Sequence, residues 1–303
     1  MKYVITGGAG FIGSNIAKLL LKEGHQIIII DNLHTGNLSR LENIKDEIIF
    51  HKIDIRDYEK MKDVITGING IFHQAALTVV SESFLNPEEY FDVNVNGTKN
   101  IFKIAKELDV KVVFASSSSV YGDVKNVPIK ENDDKNPINP YGKTKLEKEH
   151  LAGKKWEEGV KIIGLRYFNV YGKGQTGTYA GVITQFMKKL SNNLSPIIHG
   201  KGNQIRDFIS VEDVAKANLL SMESNTDFSF LNIGTGISTS VKTLAEVMIE
   251  LSGKTLEISY DDLPLGDVKE SLADTSLAKK LINSFARDTS AKLSFTSPKG
   301  RSS

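Results

Sequence analysis

The sequence predicts an α/β protein organised on a doubly wound parallel sheet, with a smaller, discontinuous α+β region beside it. Three observations carry this expectation. The first half alternates short aliphatic runs with longer helical patterns, as βαβ units do. The first run leads directly into a glycine-rich turn, Thr6-Gly7-Gly8-Ala9-Gly10-Phe11-Ile12-Gly13. After Asn169 the rhythm breaks into shorter pieces separated by glycine-containing turns.

The runs at Lys2–Thr6, 26–31, 48–53, Gly70–His73, 111–115 and 161–167 are nearly continuous apolar stretches, so they are predicted as strands buried on both faces. A helix over 14–22 should close on Gly24. Asn86-Pro87 offers an N-cap with proline in the first turn of one long helix running to Leu108. Further helices are predicted at 181–192, 211–222 and 243–251. The division that follows is a first domain over 1–168 with return segments at about 207–236, and a second region from 169–206 and 237–282. The Ser/Thr/Lys-rich tail 283–303 has little apolar periodicity and is expected to order poorly.

With 303 residues the chain can bury one large core or two modest ones. Its formal net charge of +1, spread over interspersed acids and bases, argues against a nucleic-acid or anionic-membrane partner. The absence of cysteine excludes disulfides, thiolate catalysis and cysteine-ligated metal, and fits a reducing compartment. The opening residues reach glycines before a signal-peptide core could form, and the aliphatic run 27–30 falls far short of the ~18 residues of a membrane span. A cytoplasmic protein is the expectation.

The glycine turn lies between a strand and a helix, which is the context that gives it meaning: a Rossmann-type dinucleotide site. Gly7 permits the tight turn, Gly10 lets backbone N–H groups approach a pyrophosphate beside Phe11 and Ile12, and Gly13 lets helix pack on strand. The helix N-terminus favours the anion. Asp31 closes the second strand, where a carboxylate accepts from the adenosine ribose 2′-OH and repels a 2′-phosphate. The residues after it, Asn32-Leu33-His34-Thr35-Gly36, include no arginine, so NAD is expected rather than NADP. A simple turn acid is the plain alternative for Asp31. Asp54 and Ile55, closing the third strand, are placed to hold adenine or to form a surface loop.

The serine run 116–119 follows strand five, and Tyr141 and Lys145 stand four apart at the start of the next helix, on one face. A free tyrosine titrates near 10, so a basic role at neutral pH needs a nearby cation, which Lys145 and a positive nicotinamide ring would supply. Lys145 would also bond the nicotinamide ribose, and a serine hydroxyl would relay the proton.

The segments TGGAGFIG, DNL, HQAA, NVNGT, SSSSVYG, YGKTK, LRYFNVYG and GNQIRDFISVEDV occur in the order that resembles UDP-glucose 4-epimerases and related nucleotide-sugar enzymes of the extended short-chain dehydrogenase/reductase family, over about residues 1–280. The resemblance implies Ser117 as the hydroxyl near the sugar 4-OH, with Ser118 the competing register, Tyr141 as base and Lys145 as its tuner. It implies Gln74, Ala75 and Ala76 along the cofactor, Asn94 on the helix behind it, and Tyr167 near the nicotinamide. Asn169 and Val182 resemble UDP contacts, and His199 a side chain packed on uracil, or else a plain loop histidine. Arg206 resembles a diphosphate clamp, unless it pairs with Asp207. Asp267 belongs to the Gly-Asp pair of the family, and Ser271, four residues on, resembles the small residue that leaves room at the sugar C2 substituent. The chain departs from the family where Pro264-Leu265 replaces Arg-x before Gly266-Asp267, and where no final amphipathic helix follows Ile282.

The expected activity is NAD-dependent C4 epimerisation of a UDP-hexose, UDP-glucose and UDP-galactose and also the N-acetylated pair, through a transient 4-keto sugar. Alternatives are another nucleotide-sugar epimerase, such as one acting on a uronate, a 4,6-dehydratase, or a non-catalytic NAD-binding protein. The dehydratase pattern would resemble Thr-Asp-Glu before Val-Tyr-Gly, where this chain has Ser118-Ser119. The resemblance further implies a homodimer through the helices at 87–108 and 141–156, with a UDP-sugar as the other partner.

Overall fold

The computed structural model describes residues 1–175, 181–262 and 268–282. The expected tail 283–303 lies outside them. Strands β1 (Lys2–Thr6), β2 (Gln26–Ile30), β3 (Ile48–His51), β4 (Gly70–His73), β5 (Lys111–Ser117) and β6 (Ile162–Tyr167) match the six predicted runs. The smaller strands follow as β7 (Asn169–Tyr171), β8 (Ile197–His199), β9 (Ile205–Arg206) and β10 (Phe208–Ser210). After them come β11 (Phe228–Ile233), β12 (Thr239–Ser240), β13 (Ser259–Asp261) and β14 (Glu270–Ser271). The main sheet runs β3-β2-β1-β4-β5-β6-β11, and every pair in it is parallel.

The order in which the strands are added reverses between β1 and β4, which opens a crevice at their carboxyl ends. Burial follows position in the sheet. β1, β2 and β4 to β6 bury nearly every residue, whereas edge strand β3 leaves Ile49 exposed, contrary to the expectation of two covered faces. An edge strand lacks a neighbour to extend the layers over it.

Alternate residues of each strand enter opposite layers. Tyr3, Ile5, Ile27 and Ile29 pack with Ile16 and Leu20 of α1 (Phe11–Lys22) and with Val214 and Leu219 of a later helix over Val211–Glu223. Val4, Ile28 and Ile30 pack with Met61 of α2 (Tyr58–Val64) on the other side. There they also meet Tyr90, Ile101, Phe102 and Ala152. At Gly24 the first helix ends as expected, its last carbonyls meeting the N–H groups of Gly24 and His25.

After a separate short helix α3 (Val80–Leu85), the long helix expected from Asn86 runs unbroken as α4 (Pro87–Phe91), a π-helical turn over Asp92–Asn96 and α5 (Gly97–Leu108). Pro87 opens α4, but Asn86 makes no side-chain cap. The π turn carries Asn94, whose buried amide bonds both backbone groups of Leu77 and the Thr144 hydroxyl; such turns recur at functional sites. Helix α6 (Pro140–Glu157) is capped by Asn139, which accepts from the Gly142 N–H at 2.7 Å.

Helices α7 (Val182–Ser191), α8 (Val211–Glu223), α9 (Val241–Ser252) and α10 (Ser276–Leu281) complete the set. A third apolar cluster joins Phe186 of α7 with Ile198, Phe208, Val241 and Leu244, so segments on both sides of α8 share one small core. The short strands pair as β10-β7, β12-β9-β14 and β13-β8.

Candidate active site

A cavity of about 600 Å³ runs along the crevice. Its floor is the glycine turn. Gly7 adopts φ +68°, and a Cβ there would lie 2.7 Å from the Ala75 nitrogen; a Cβ on Gly13 would strike the Gly7 carbonyl oxygen. The turn is therefore a cradle that side chains would fill, opening on the N-terminus of α1 with its free N–H groups. Gly7, Gly10, Phe11, Ile12 and Gly13 all line the cavity, as do Gln74, Ala75 and Ala76 opposite.

Asp31 sits where β2 ends. Its two oxygens accept from the Ala9 N–H at 3.0 Å and the Leu33 N–H at 2.8 Å, so it braces the glycine turn as well as facing the cavity. Burial pushes its pKa up, the two backbone bonds opposing. The premise that no arginine stands nearby needs correction. Arg40, nine residues on, folds back into the cavity and donates to the carbonyls of Gly174 and Ala9 at 3.0 and 3.2 Å. Only the short 3₁₀ turn at Leu38–Arg40 brings it there, which adjacency in sequence could not reveal. Asp54 holds the Asn32 amide at 2.9 Å and both arms of Arg56, whose guanidinium keeps its carboxyl well below the usual range. Asn32, Asp54 and Ile55 line the same end.

At the other end Ser117, Tyr141 and Lys145 come together on the wall. Geometry distinguishes the serines of the run. Ser116 donates to Glu149 at 2.6 Å and is spoken for, whereas Ser117 caps the next turn through the Ser119 N–H and faces the Tyr141 phenol; Ser118 does not reach the cavity. Lys145, one helical turn after Tyr141, has its Nζ 5.5 Å from the tyrosine ring centre and donates to the Ala115 carbonyl at 2.9 Å. Burial brings Lys145 down to about 8, Glu149 opposing. Burial also pushes the Tyr141 phenol up, with the Ser117 hydrogen bond pulling the other way. The expected tuning by Lys145 is thus not what dominates the phenol in the protein alone; its ammonium is turned to the Ala115 carbonyl.

Tyr167 joins the wall through a triangle with Gln74 and Asn218, the phenol 3.1 Å from the Gln74 oxygen and 2.8 Å from the Asn218 amide nitrogen. A second cavity of about 220 Å³ shares Phe168, Val170 and Gln175 with the first, and Asn169 and Val182 line it. Other expected contacts lie elsewhere. Asn94 is wholly buried behind Leu77. His199 is exposed, near the Asp262 carbonyl. Arg206 is buried and donates to the carbonyls of Ile205, Val268 and Lys269, gathering that strand. The alternative pairing with Asp207 does not appear among its described bonds, because Asp207 accepts from Thr235, Gly236 and Ala273. Ser271 is buried in register with Arg206, outside both cavities. Asp267, with 264–266, lies outside the described residues.

Behind this wall lies a buried polar cluster that the sequence reading missed. Arg166 holds Glu149 through two bonds and donates to the Tyr121 hydroxyl at 2.7 Å, which in turn donates to Asn232 at 2.7 Å. A charged residue inside an otherwise apolar strand, as Arg166 is, was the available signal, since charges are rarely buried without a partner.

The fold and this cavity define a dinucleotide-binding enzyme with a tyrosine–lysine pair on the cavity wall. The chain belongs to the NAD-dependent epimerase/dehydratase family, whose model matches residues 3–234. It is 41% identical to a putative UDP-glucose 4-epimerase of Methanocaldococcus jannaschii, over 92% of this chain and 91% of that one. Among solved structures it resembles a UDP-N-acetylglucosamine 4-epimerase of Methanobrevibacter ruminantium M1 in complex with UDP-N-acetylmuramic acid (36% identity, 93% and 92% of the two chains, TM-score 0.89). It also resembles a Thermus thermophilus UDP-glucose 4-epimerase in complex with NAD (31% identity, 92% of each, TM-score 0.85). NAD is the cofactor, and the cradle at Gly7 and Gly13 fits its pyrophosphate. Among the described residues no helix is long and apolar enough to cross a membrane.

Proposed function

We propose that the protein interconverts UDP-hexoses at C4, and the observation that carries this is the meeting of Ser117, Tyr141 and Lys145 on the wall of the cavity whose floor is the glycine cradle. NAD, when bound, supplies a reversible hydride acceptor for C4. Tyr141 takes the 4-OH proton, with Ser117 bridging hydroxyl and phenol, and Lys145 offsets the developing phenolate charge. The resulting 4-keto sugar turns over within the cavity, and Tyr141 returns the proton when C4 is reduced from its other face. Asn169 and Val182 hold the UDP portion in the adjoining cavity. Roles for Arg206, Asp267 and His199 at the UDP portion are supported by the family resemblance alone, since Arg206 is turned to the carbonyls of Ile205, Val268 and Lys269 and lines neither cavity. The names of the relatives support both plain and acetylated sugars, whereas Ser271, outside both cavities, adds nothing to that support.

The division into a cofactor domain over 1–168 with 207–236 and a substrate region over the remaining described segments is supported by the separate third core. A homodimer is supported by apolar side chains left exposed on α3 to α5, among them Phe84, Leu85 and Phe91. A cytoplasmic place in galactose metabolism fits the cysteine-free chain. Incubation with UDP-galactose, UDP-GalNAc and UDP-galacturonate, with nucleotide-sugar products resolved by chromatography, tests the reading. Conversion of the first two is expected; conversion of the uronate alone would replace it.

A further inference from the structure

Towards Asp54 the main cavity is lined by Ile53, Ile55, Val93 and the side chain of Arg56. The sequence offers Asp54 as a holder of adenine, yet its carboxylate is already full. Oδ1 accepts from the backbone N–H and the Nε of Arg56, each at 2.9 Å. Oδ2 accepts from Arg56 Nη2 and from the Asn32 amide, again each at 2.9 Å. A carboxylate has about four acceptor positions, so one further donor must displace a bond already made. Three of those four bonds come from Arg56 itself, two of them as a charge-assisted fork of the kind that is hardest to displace.

Arg56 is anchored at both ends. The Asn100 amide of α5 donates to the carbonyls of Ile55 and Arg56 at 3.1 and 3.0 Å, which fixes the backbone. At the tip, Nη1 donates to Asp92 of the π turn at 3.1 Å, and Asp92 is held in turn by the Asn96 amide at 2.9 Å. The guanidinium thus meets one carboxylate through Nε and Nη2 and a second through Nη1, while the side chain stays 41% exposed and lines the cavity. Beside it Ile53, Ile55 and Val93 offer no side-chain hydrogen bond. A planar cation fixed by its edges next to apolar walls suits the face of an aromatic base.

We propose that Arg56, rather than Asp54, recognises the purine of the cofactor: the guanidinium takes the adenine ring on its face, and Asp54 is a positioning residue that holds the guanidinium in place. Stacking of this kind reads a π face, which every purine has. The protein is therefore indifferent to the adenine 6-amino group, whichever sugar it acts on.

The test is nucleotide binding, read without turnover. NAD-loaded protein is equilibrated with an equimolar excess of NAD and of the analogue whose purine lacks the 6-amino group. The nucleotides that stay bound through gel filtration are then released and resolved by chromatography. The wild type should hold the two within about twofold of each other, whereas a hydrogen bond from the amino group to the Asp54 carboxylate would favour NAD by about tenfold or more. That preference in the wild type overturns the proposal. Release of radiolabelled NAD into excess unlabelled NAD is the second readout. Arg56→Ala and Arg56→Lys should both speed it about tenfold, because lysine keeps a charge for Asp54 but has no planar face. Asp54→Asn should speed release of both nucleotides without changing their ratio. Wild-type release from Arg56→Lys would reduce Arg56 to a brace for the loop, and a nucleotide ratio that shifts in Asp54→Asn would return the purine to Asp54; either result overturns the proposal.

Discussion

Arg166 grips both carboxylate oxygens of Glu149, at 2.9 Å through Nε and 2.7 Å through Nη2, with the two side chains only 2% and 3% exposed. The pair ties β6 to the helix that carries Tyr141 and Lys145, and Ser116 ties β5 to the same carboxylate. Removing one member leaves the other charge buried. Glu149→Gln should therefore lower unfolding free energy by about 3–5 kcal/mol, read by urea denaturation. It should also move the high-pH limb of kcat down. Glu149 raises the Lys145 pKa, so without it the ammonium is lost below about 8 and the rate falls at lower pH. Wild-type stability in that variant would remove the pair as a brace.

Tyr141→Phe loses only a hydroxyl. Turnover should fall by about 10²–10⁴-fold while NAD stays bound, measured by coupled assay and by absorbance of released nucleotide. Near-normal turnover would exclude Tyr141 as the proton acceptor.

Lys148, wholly buried on α6 with its Nζ 3.5 Å from the Ala115 carbonyl oxygen, gives a stability prediction with a definite sign. Its folded pKa is depressed, so below the unfolded value of about 10.4 the unfolded chain binds the extra proton and is favoured. The cost is present at neutral pH and fades as pH rises through the window from the depressed folded pKa to the unfolded one. Lys148→Met should melt higher at pH 7, by about 2 °C or more, with the gain shrinking towards pH 10. A lower melting temperature at pH 7 would contradict a buried neutral amine.

NAD should remain bound through purification, because a closed hydride cycle never requires its release. Gly13→Ala drives a methyl group into the Gly7 carbonyl, so that variant should purify without NAD and melt lower, by calorimetry. Equal NAD content in the two proteins would show that the cradle is not where the pyrophosphate sits.

Phe91 is 46% exposed on α4. Phe91→Asp should turn a dimer into a monomer by light scattering, whereas a monomeric wild type at micromolar concentration would refute the dimer itself.

What could be read from the sequence follows the range of the forces involved. Strands such as Gln26–Ile30 declare themselves because a strand buried on both faces must be apolar throughout. The spacing of Tyr141 and Lys145 is legible because a helix puts residues four apart on one face. Arg40 was hidden because its approach to Asp31 depends on how the intervening loop folds back, and the π turn at Asp92–Asn96 because Asn94 answers to Leu77 and Thr144, partners far away in sequence. The pairing of Arg206 with the carbonyls of Val268 and Lys269, on a distant strand segment, lies equally beyond local pattern.

The most direct measurement follows the hydrogen at C4. UDP-galactose carrying deuterium at C4 is incubated with the purified protein in ordinary water, without added cofactor, and the UDP-glucose formed is examined by mass spectrometry and NMR. Hydride removal and return within one closed site requires the deuterium to remain at C4 of the product. UDP-glucose that has exchanged that deuterium for solvent hydrogen, or no UDP-glucose at all, would contradict C4 epimerisation by Tyr141, Lys145 and a retained NAD.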